Sequence, residues 1–295
     1  MTRYIAITPA RDEEKLLPRL IASMASQSWT PDRWIIIDDG SADATAAIVD
    51  EAARAYPWIE PHHLPRNRPR APGGECVITQ FLPHEACQEY DYVLRLDADV
   101  SFESGFIDLL LEEFARDPKL GIASPTLWEP KGDEWVEIRQ PEYHTRGPAK
   151  MYSLACFNAI GELDPDVGWD TLDEARAMLH GFHTRGFRHI TARHHRPQGE
   201  ASGWRARMKA GLAAYRVGYS PLFVLARAVR ETFTRPSPAE GALNHSRTFF
   251  WQVPGTLRVC PCATAIACFD VRIVMLTPYQ SVVSPGFRST NGSGS

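Results

Sequence analysis

No run of about eighteen or more apolar residues occurs in the sequence, so the chain is not expected to cross a bilayer as a helix. Lying on a bilayer stays open. Zinc-type cysteine spacing is missing too: of the six cysteines, Cys76, Cys87 and Cys156 are scattered, while Cys260, Cys262 and Cys268 are bunched near the end. With no secretory-type leader ahead of them, the expected setting is reducing and cytoplasmic. Acids are scarce in two places. Between Arg185 and Arg235, eleven Lys or Arg face only Glu200 and Glu231, a balance that attracts anions. Past Glu240 the only acid is Asp270, and helical periodicity is lost. No nucleic-acid recognition motif accompanies the basic stretch, so nucleic acid is not an expected partner.

What is present reads as alternating β and α. The 295 residues suffice for one large α/β domain with an appendage, or for two small domains. Tyr4 to Thr8 is a short apolar run stopped by Pro9. Leu16, Leu17, Leu20, Ile21 and Met24 then recur at helical spacing, with Asp12 to Glu14 at the helix start, where the macrodipole favours acids. Trp34 to Ile37 leads into Asp38-Asp39-Gly40-Ser41, and Ile48, Val49, Ala52, Ala53 and Tyr56 mark the next helix, with Ser41 or Asp43 as its expected cap. Ile59 to Leu64, Tyr92 to Leu96, Leu120 to Ser124, Trp135 to Ile138 and Arg188 to Arg193 are further strand candidates. Helices are expected around Cys76–Phe81 and Phe106–Phe114. The economical architecture is a mostly parallel, doubly wound α/β sheet.

The chemistry gathers at strand ends. Tyr92, Leu94 and Leu96 alternate with Val93 and Arg95 and deliver Asp97-Ala98-Asp99 at the C-terminal end of a strand, where open α/β sheets bind ligands. Two carboxylates one residue apart can hold one hard cation that keeps positions open for phosphate. A loop of two solvated acids is the plain alternative. Arg66, Arg68 and Arg70 with Gly73 and Gly74 suit a diphosphate, or equally a solvated basic loop. Asp170, Asp173 and Glu174 stand at i, i+3 and i+4, on one side of a helix that begins there.

Taken together, Thr8-Pro-Ala-Arg-Asp12-Glu13, Asp38-Asp39-Gly40-Ser41-Ala-Asp43-Ala-Thr45, Asp97-Ala-Asp99, Gly147, Phe157-Asn-Ala-Ile-Gly161 and Trp169-Asp170-Thr-Leu-Asp173-Glu174 resemble the family 2 glycosyltransferases of the GT-A fold. The resemblance runs from the N-terminus to about Gly218 and says nothing of which sugar is moved. It implies a Rossmann-like catalytic domain over 1–203, with a nucleotide-binding half to about 100 and an acceptor half beyond. Pro9, Arg11, Asp12, Glu13, Asp38 and Asp39 would then hold the nucleotide's base and ribose, with Arg70 as a further donor contact. Asp97 and Asp99 would hold Mg²⁺ or Mn²⁺ on the diphosphate, with His194 or His195 as a late ligand and Arg196 as a diphosphate partner. Inverting transfer needs a base, implied to be Asp173 or Glu174. The family's usual order is Glu then Asp, and the reversal here leaves the two open.

The implied activity is hexosyl transfer from a nucleotide sugar to a carbohydrate or lipid-linked acceptor, in bacterial-type cell-envelope polysaccharide or glycolipid synthesis. Two other classes stand beside it: a non-catalytic sugar-nucleotide-binding or scaffold protein, and a Mg²⁺-dependent phosphoryl-transfer or receiver-type domain. Residues 204–235 read as basic amphipathic helices. They suit either an anionic membrane surface, at the inner face, or packing on the catalytic domain. Residues 236–295 are a tail with no expected structure.

Overall fold

The computed structural model describes residues 2–66, 87–161 and 168–196, together with Ile78, Phe81 and Leu163. Arg70, most of the segment expected as a helix around Cys76–Phe81, the basic stretch 204–235 and the tail lie outside the described residues. No helix among the described residues is long and apolar enough to cross a membrane.

The chain opens with β1 (Tyr4–Ala10), α1 (Leu17–Ala25), β2 (Arg33–Asp38), α2 (Thr45–Ala55) and β3 (Ile59–His63). β4 (Tyr92–Leu96), the short β5 (Val100–Ser101) and α3 (Phe106–Arg116) follow, then the long β6 (Leu120–Lys131), β7 (Glu134–Glu137) and β8 (Ala149–Ser153). Helices α4 (Leu154–Ile160) and α5 (Trp169–Leu179) and strand β9 (His183–His194) complete the described part. The strands form one sheet in the order β3-β2-β1-β4-β8-β6-β9-β5, with β7 pairing outside on β6. Pairing is parallel through β3, β2, β1 and β4 and again between β6 and β9, and antiparallel where β8 joins β4 to β6. This is the expected Rossmann-like sheet.

Strands buried on both faces must be apolar at every position, which explains the unbroken runs. Tyr4, Ala6, Trp34, Ile36, Leu94 and Leu96 face one core with the apolar sides of α1, α2 and α3. Ile5, Ile7, Ile35, Ile37 and Val93 face the other, against Tyr152, Phe157 and Ile160. α1 buries Leu17, Leu20, Ile21 and Met24 as the spacing predicts.

Two local expectations change. No acid lies in the first turn of α1; Asp12 to Glu14 turn instead to the loop after β2. Asp12 N–H donates to Ser41 Oγ at 2.9 Å, Ala42 N–H donates to Asp12 Oδ1 at 2.8 Å, and Glu13 N–H donates to Thr45 Oγ1 at 2.8 Å. Neither Ser41 nor Asp43 caps α2 in the usual way. Its N-cap is Ala44 without a side-chain bond, while Asp43 Oδ1 accepts from Thr45 N–H at 2.9 Å. The two loops are laced together by these side chains. The strand foreseen over Leu120–Ser124 continues to Lys131 and folds back as β7, and the last strand starts earlier than foreseen, at His183.

Candidate active site

The C-terminal ends of β1, β2 and β4 lie side by side and present the acids. Asp39 N–H donates to Ala10 O at 2.8 Å, and Arg11 Nη1 lies 3.4 Å from Asp39 Oδ2. Asp38 Oδ1 accepts from Ser41 N–H at 2.9 Å, and its Oδ2 is 3.5 Å from His63 Nδ1. Gly40 closes this turn with φ of 74°; a Cβ there would meet Pro65 O at 2.5 Å, so only glycine suits the position. Arg11, Asp12, Glu13, Asp38 and Asp39 are thus linked into one rim, and Pro9 stands just before it in β1, opposite Ile37.

Beyond β4, Asp97, Asp99 and His194 bring three ligand atoms within 4.8 Å of one another. Asp97 pairs with Arg95 Nη2 at 2.8 Å, and its N–H donates to Pro148 O at 2.9 Å. Asp99 and His194 meet because β5 runs antiparallel to the end of β9, Val100 opposite His194. Their side chains lie 3.4 Å apart, His194 Nε2 to Asp99 Oδ1, and on its other side His194 Nδ1 is 3.0 Å from Glu129 Oε1. Burial opposes charge on His194, but the neighbouring carboxylates of Asp99 and Glu129 outweigh it and raise its pKa to about 9. Burial likewise opposes charge on Asp99, and His194 and Arg196 more than offset it, so the carboxyl is held below its ordinary range.

The residues suit a divalent cation. Asp99 Oδ1 is buried without a hydrogen bond among the described residues, and two carboxylates with one imidazole are a donor set that Mn²⁺ or Mg²⁺ accepts. His195 turns elsewhere: its Nε2 is 2.7 Å from Ser101 Oγ, its Nδ1 is 3.4 Å from Arg19 Nη1, and its ring stands edge-on to Trp135. Arg196 joins the corner to the rim, donating to Glu13 Oε2 at 2.7 Å with its Nε 3.9 Å from Asp99 Oδ2.

Across from this corner the first turns of α5 carry three acids in two different situations. Asp173 is buried, accepting from Lys150 Nζ at 2.9 and 3.0 Å and from Tyr152 Oη at 2.6 Å. Glu174 Oε1 accepts from Thr145 N–H and Oγ1, both at 2.6 Å, and its Oε2 is 3.0 Å from His144 Nδ1. Lys150 has no exposed surface; burial opposes its charge, and the carboxylates of Asp173 and Glu174 override that and hold it protonated. Asp170 is only half-buried, and no hydrogen bond or ion pair holds its carboxylate among the described residues. It lies against Gly147, whose carbonyl accepts from Arg95, the partner of Asp97. Arg95, Glu129, Arg146, Lys150 and Tyr152 were not foreseen as parts of the site. Charged residues in strands carried no signal of their own, except that Lys150 stands two positions from Tyr152 and so shares its face.

Known proteins resemble this chain in sequence and in fold. Residues 5–162 match the model for glycosyl transferase family 2. Over 193 residues the chain is 26% identical to the poly-beta-1,6-N-acetyl-D-glucosamine synthase of Staphylococcus aureus, a match that takes in 60% of this chain and 45% of that protein. The chain thus spans less than half the length of that relative. Among solved structures, a mannosyltransferase of Pyrobaculum calidifontis in complex with GDP-Man and Mn²⁺ superposes with a TM-score of 0.56 at 17% identity, covering 94% of this chain and 81% of that one. Residues 1–349 of S. aureus TarS, in complex with UDP-GlcNAc, superpose with a TM-score of 0.54 at 14% identity, covering 84% and 91%. At such identities the likeness establishes the GT-A fold.

Proposed function

The chain belongs to glycosyl transferase family 2, and from that premise we propose that it transfers a sugar, with inversion, from a nucleotide-diphosphate donor to an acceptor hydroxyl. The observation that carries this reading is the meeting of Asp97, Asp99 and His194 at the ligand-binding end of the sheet, beside Arg196 and opposite an acidic helix turn. Pro9, Arg11, Asp12, Glu13, Asp38 and Asp39 form the nucleoside side of the cleft, and Arg196 serves the diphosphate, with Arg70, outside the described residues, as a further donor contact. Asp97, Asp99 and His194 would hold a Mg²⁺ or Mn²⁺ ion, which would supply neutralisation of the charge on the departing diphosphate. The bond between the anomeric carbon and phosphate oxygen breaks, its electron pair leaving with the nucleoside diphosphate, as the acceptor oxygen attacks from the opposite face. A carboxylate on α5 takes the acceptor's proton. Asp173 and Glu174 were the expected bases, but their oxygens are engaged by Lys150, Tyr152, Thr145 and His144. We therefore assign the proton to Asp170, with Asp173 and Glu174 fixing the turn that presents it.

Family membership sets aside the receiver-type alternative, which leaves a non-catalytic binding protein as the competitor. The names of its relatives make UDP-GlcNAc and GDP-mannose the first donors to try. A carbohydrate or lipid-linked acceptor of the cell envelope, with residues 204–235 against an anionic membrane surface, completes the reading. The test is release of nucleoside diphosphate from a panel of sugar nucleotides, with Mn²⁺, Mg²⁺ or chelator. Release that depends on the cation is the expected outcome. Sugar nucleotides that bind but are never turned over, with any acceptor tried, would make this a binding protein.

A further inference from the structure

We infer that Glu129 is the positioning residue of the cation site, fixing the His194 ring so that Nε2 faces Asp97 and Asp99 as a lone-pair donor. This rests on the cation reading above and deepens it. β6 and β9 run parallel with Trp128 opposite Arg193, so the next residues along each strand, Glu129 and His194, are neighbours on one face of the sheet. Both are buried. A carboxylate taken out of water is costly unless it is partnered, and Glu129 Oε1 is 3.0 Å from His194 Nδ1 and accepts from Arg146 Nη2 at 3.2 Å.

A cation that takes the place of the Nε2 proton meets the ring's lone pair there, because the Nδ1 proton is committed to Glu129. Nε2 is 3.4 Å from Asp99 Oδ1, which has no hydrogen bond among the described residues. In the metal-free protein a proton on Nε2 faces Asp99, and a bound cation would stand where that proton does. Metal-bound histidines almost always give their second N–H to such an outer partner, a carboxylate among them, which fixes the tautomer and raises ligand basicity. Glu129 meets that description, and it lies outside the Asp-x-Asp segment.

The test is titration of the full-length protein with Mn²⁺ alone, followed by calorimetry and by the electron paramagnetic resonance signal of free Mn²⁺. Glu129→Ala is expected to lower Mn²⁺ affinity roughly 10- to 100-fold. Glu129→Gln, whose amide oxygen still accepts from Nδ1 without the charge, should recover part of the loss. Circular dichroism and thermal melts of the metal-free proteins establish that each variant is folded; should the Ala variant not fold, the Gln variant decides. Folded Glu129 variants that bind Mn²⁺ as the wild type does would overturn the inference, provided Asp99→Asn and His194→Ala weaken binding. If those two variants also bind normally, or the wild type binds no Mn²⁺, the cation reading itself fails.

Discussion

Asp170 and Asp173 are three residues apart, and their surroundings differ, which makes the proposed division of tasks between them testable. Asp173 is buried against Lys150 and Tyr152, so Asp173→Asn removes one carboxylate from a desolvated cation. Breaking a buried pair from one side costs about 3–5 kcal/mol; Glu174, 3.5 Å from the same Nζ, should keep the loss near the lower figure. Asp170 is half-buried and free of such bonds among the described residues, so Asp170→Asn should leave stability within about 0.5 kcal/mol. It should lower turnover by roughly 10²–10⁴-fold while donor affinity stays nearly unchanged, since only the chemical step uses the proton transfer. Denaturant melts, turnover and donor dissociation constants for the two variants check this pattern. The reverse pattern, with stability lost at Asp170 and turnover at Asp173, would return the base to Asp173.

At the scale of elements, the β5–β9 seam ties stability to pH through His194. Its folded pKa of about 9 lies above the ordinary 6.5. With chelator present, the ion pairs of His194 therefore stabilise fully below about pH 6.5 and are lost as pH rises through about 9. Asp99 is held below its ordinary 3.8, so its contribution is present above that value and fades as pH falls below it. The gap in melting temperature between wild type and His194→Gln should be widest near pH 6 and narrow by about pH 9.5, as thermal scans in EDTA would reveal; a gap that widens with pH would mean His194 is buried neutral. Periodicity made α1, α2, α3 and the parallel strands legible, because each buries a repeating apolar face. β8 was missed. Ala149-Lys-Met-Tyr-Ser153 carries a lysine at a core position, and its partners Asp173 and Glu174 come from a helix distant in sequence. Glu129 was hidden for the same reason: its meaning depends on a strand pairing that no local pattern announces.

For the whole molecule, the acids after β1, β2 and β4 were legible as a site because strand ends of an α/β sheet converge on one edge. The choice of His194 over His195 was not, since adjacent residues differ only in which way the backbone turns them. The basic stretch 204–235 calls for its own measurement. If it meets an anionic surface, the protein should sediment with phosphatidylserine-containing vesicles at low salt and leave them as salt rises, and truncation after Gly203 should abolish the association. Sedimentation that persists unchanged after truncation would place the contact elsewhere.

The pairing of Val100 with His194 also bears on how the protein is made. The cation corner takes two residues from the middle of the described chain and the third from its last strand. A chain still on the ribosome can lay down β1, β2 and β4 with all their acids exposed and yet lack the third ligand. Domains fold as units during synthesis, and here the unit closes late. If the corner takes a cation as proposed, a chain halted before β9 lacks one of its three ligands and should hold that cation poorly.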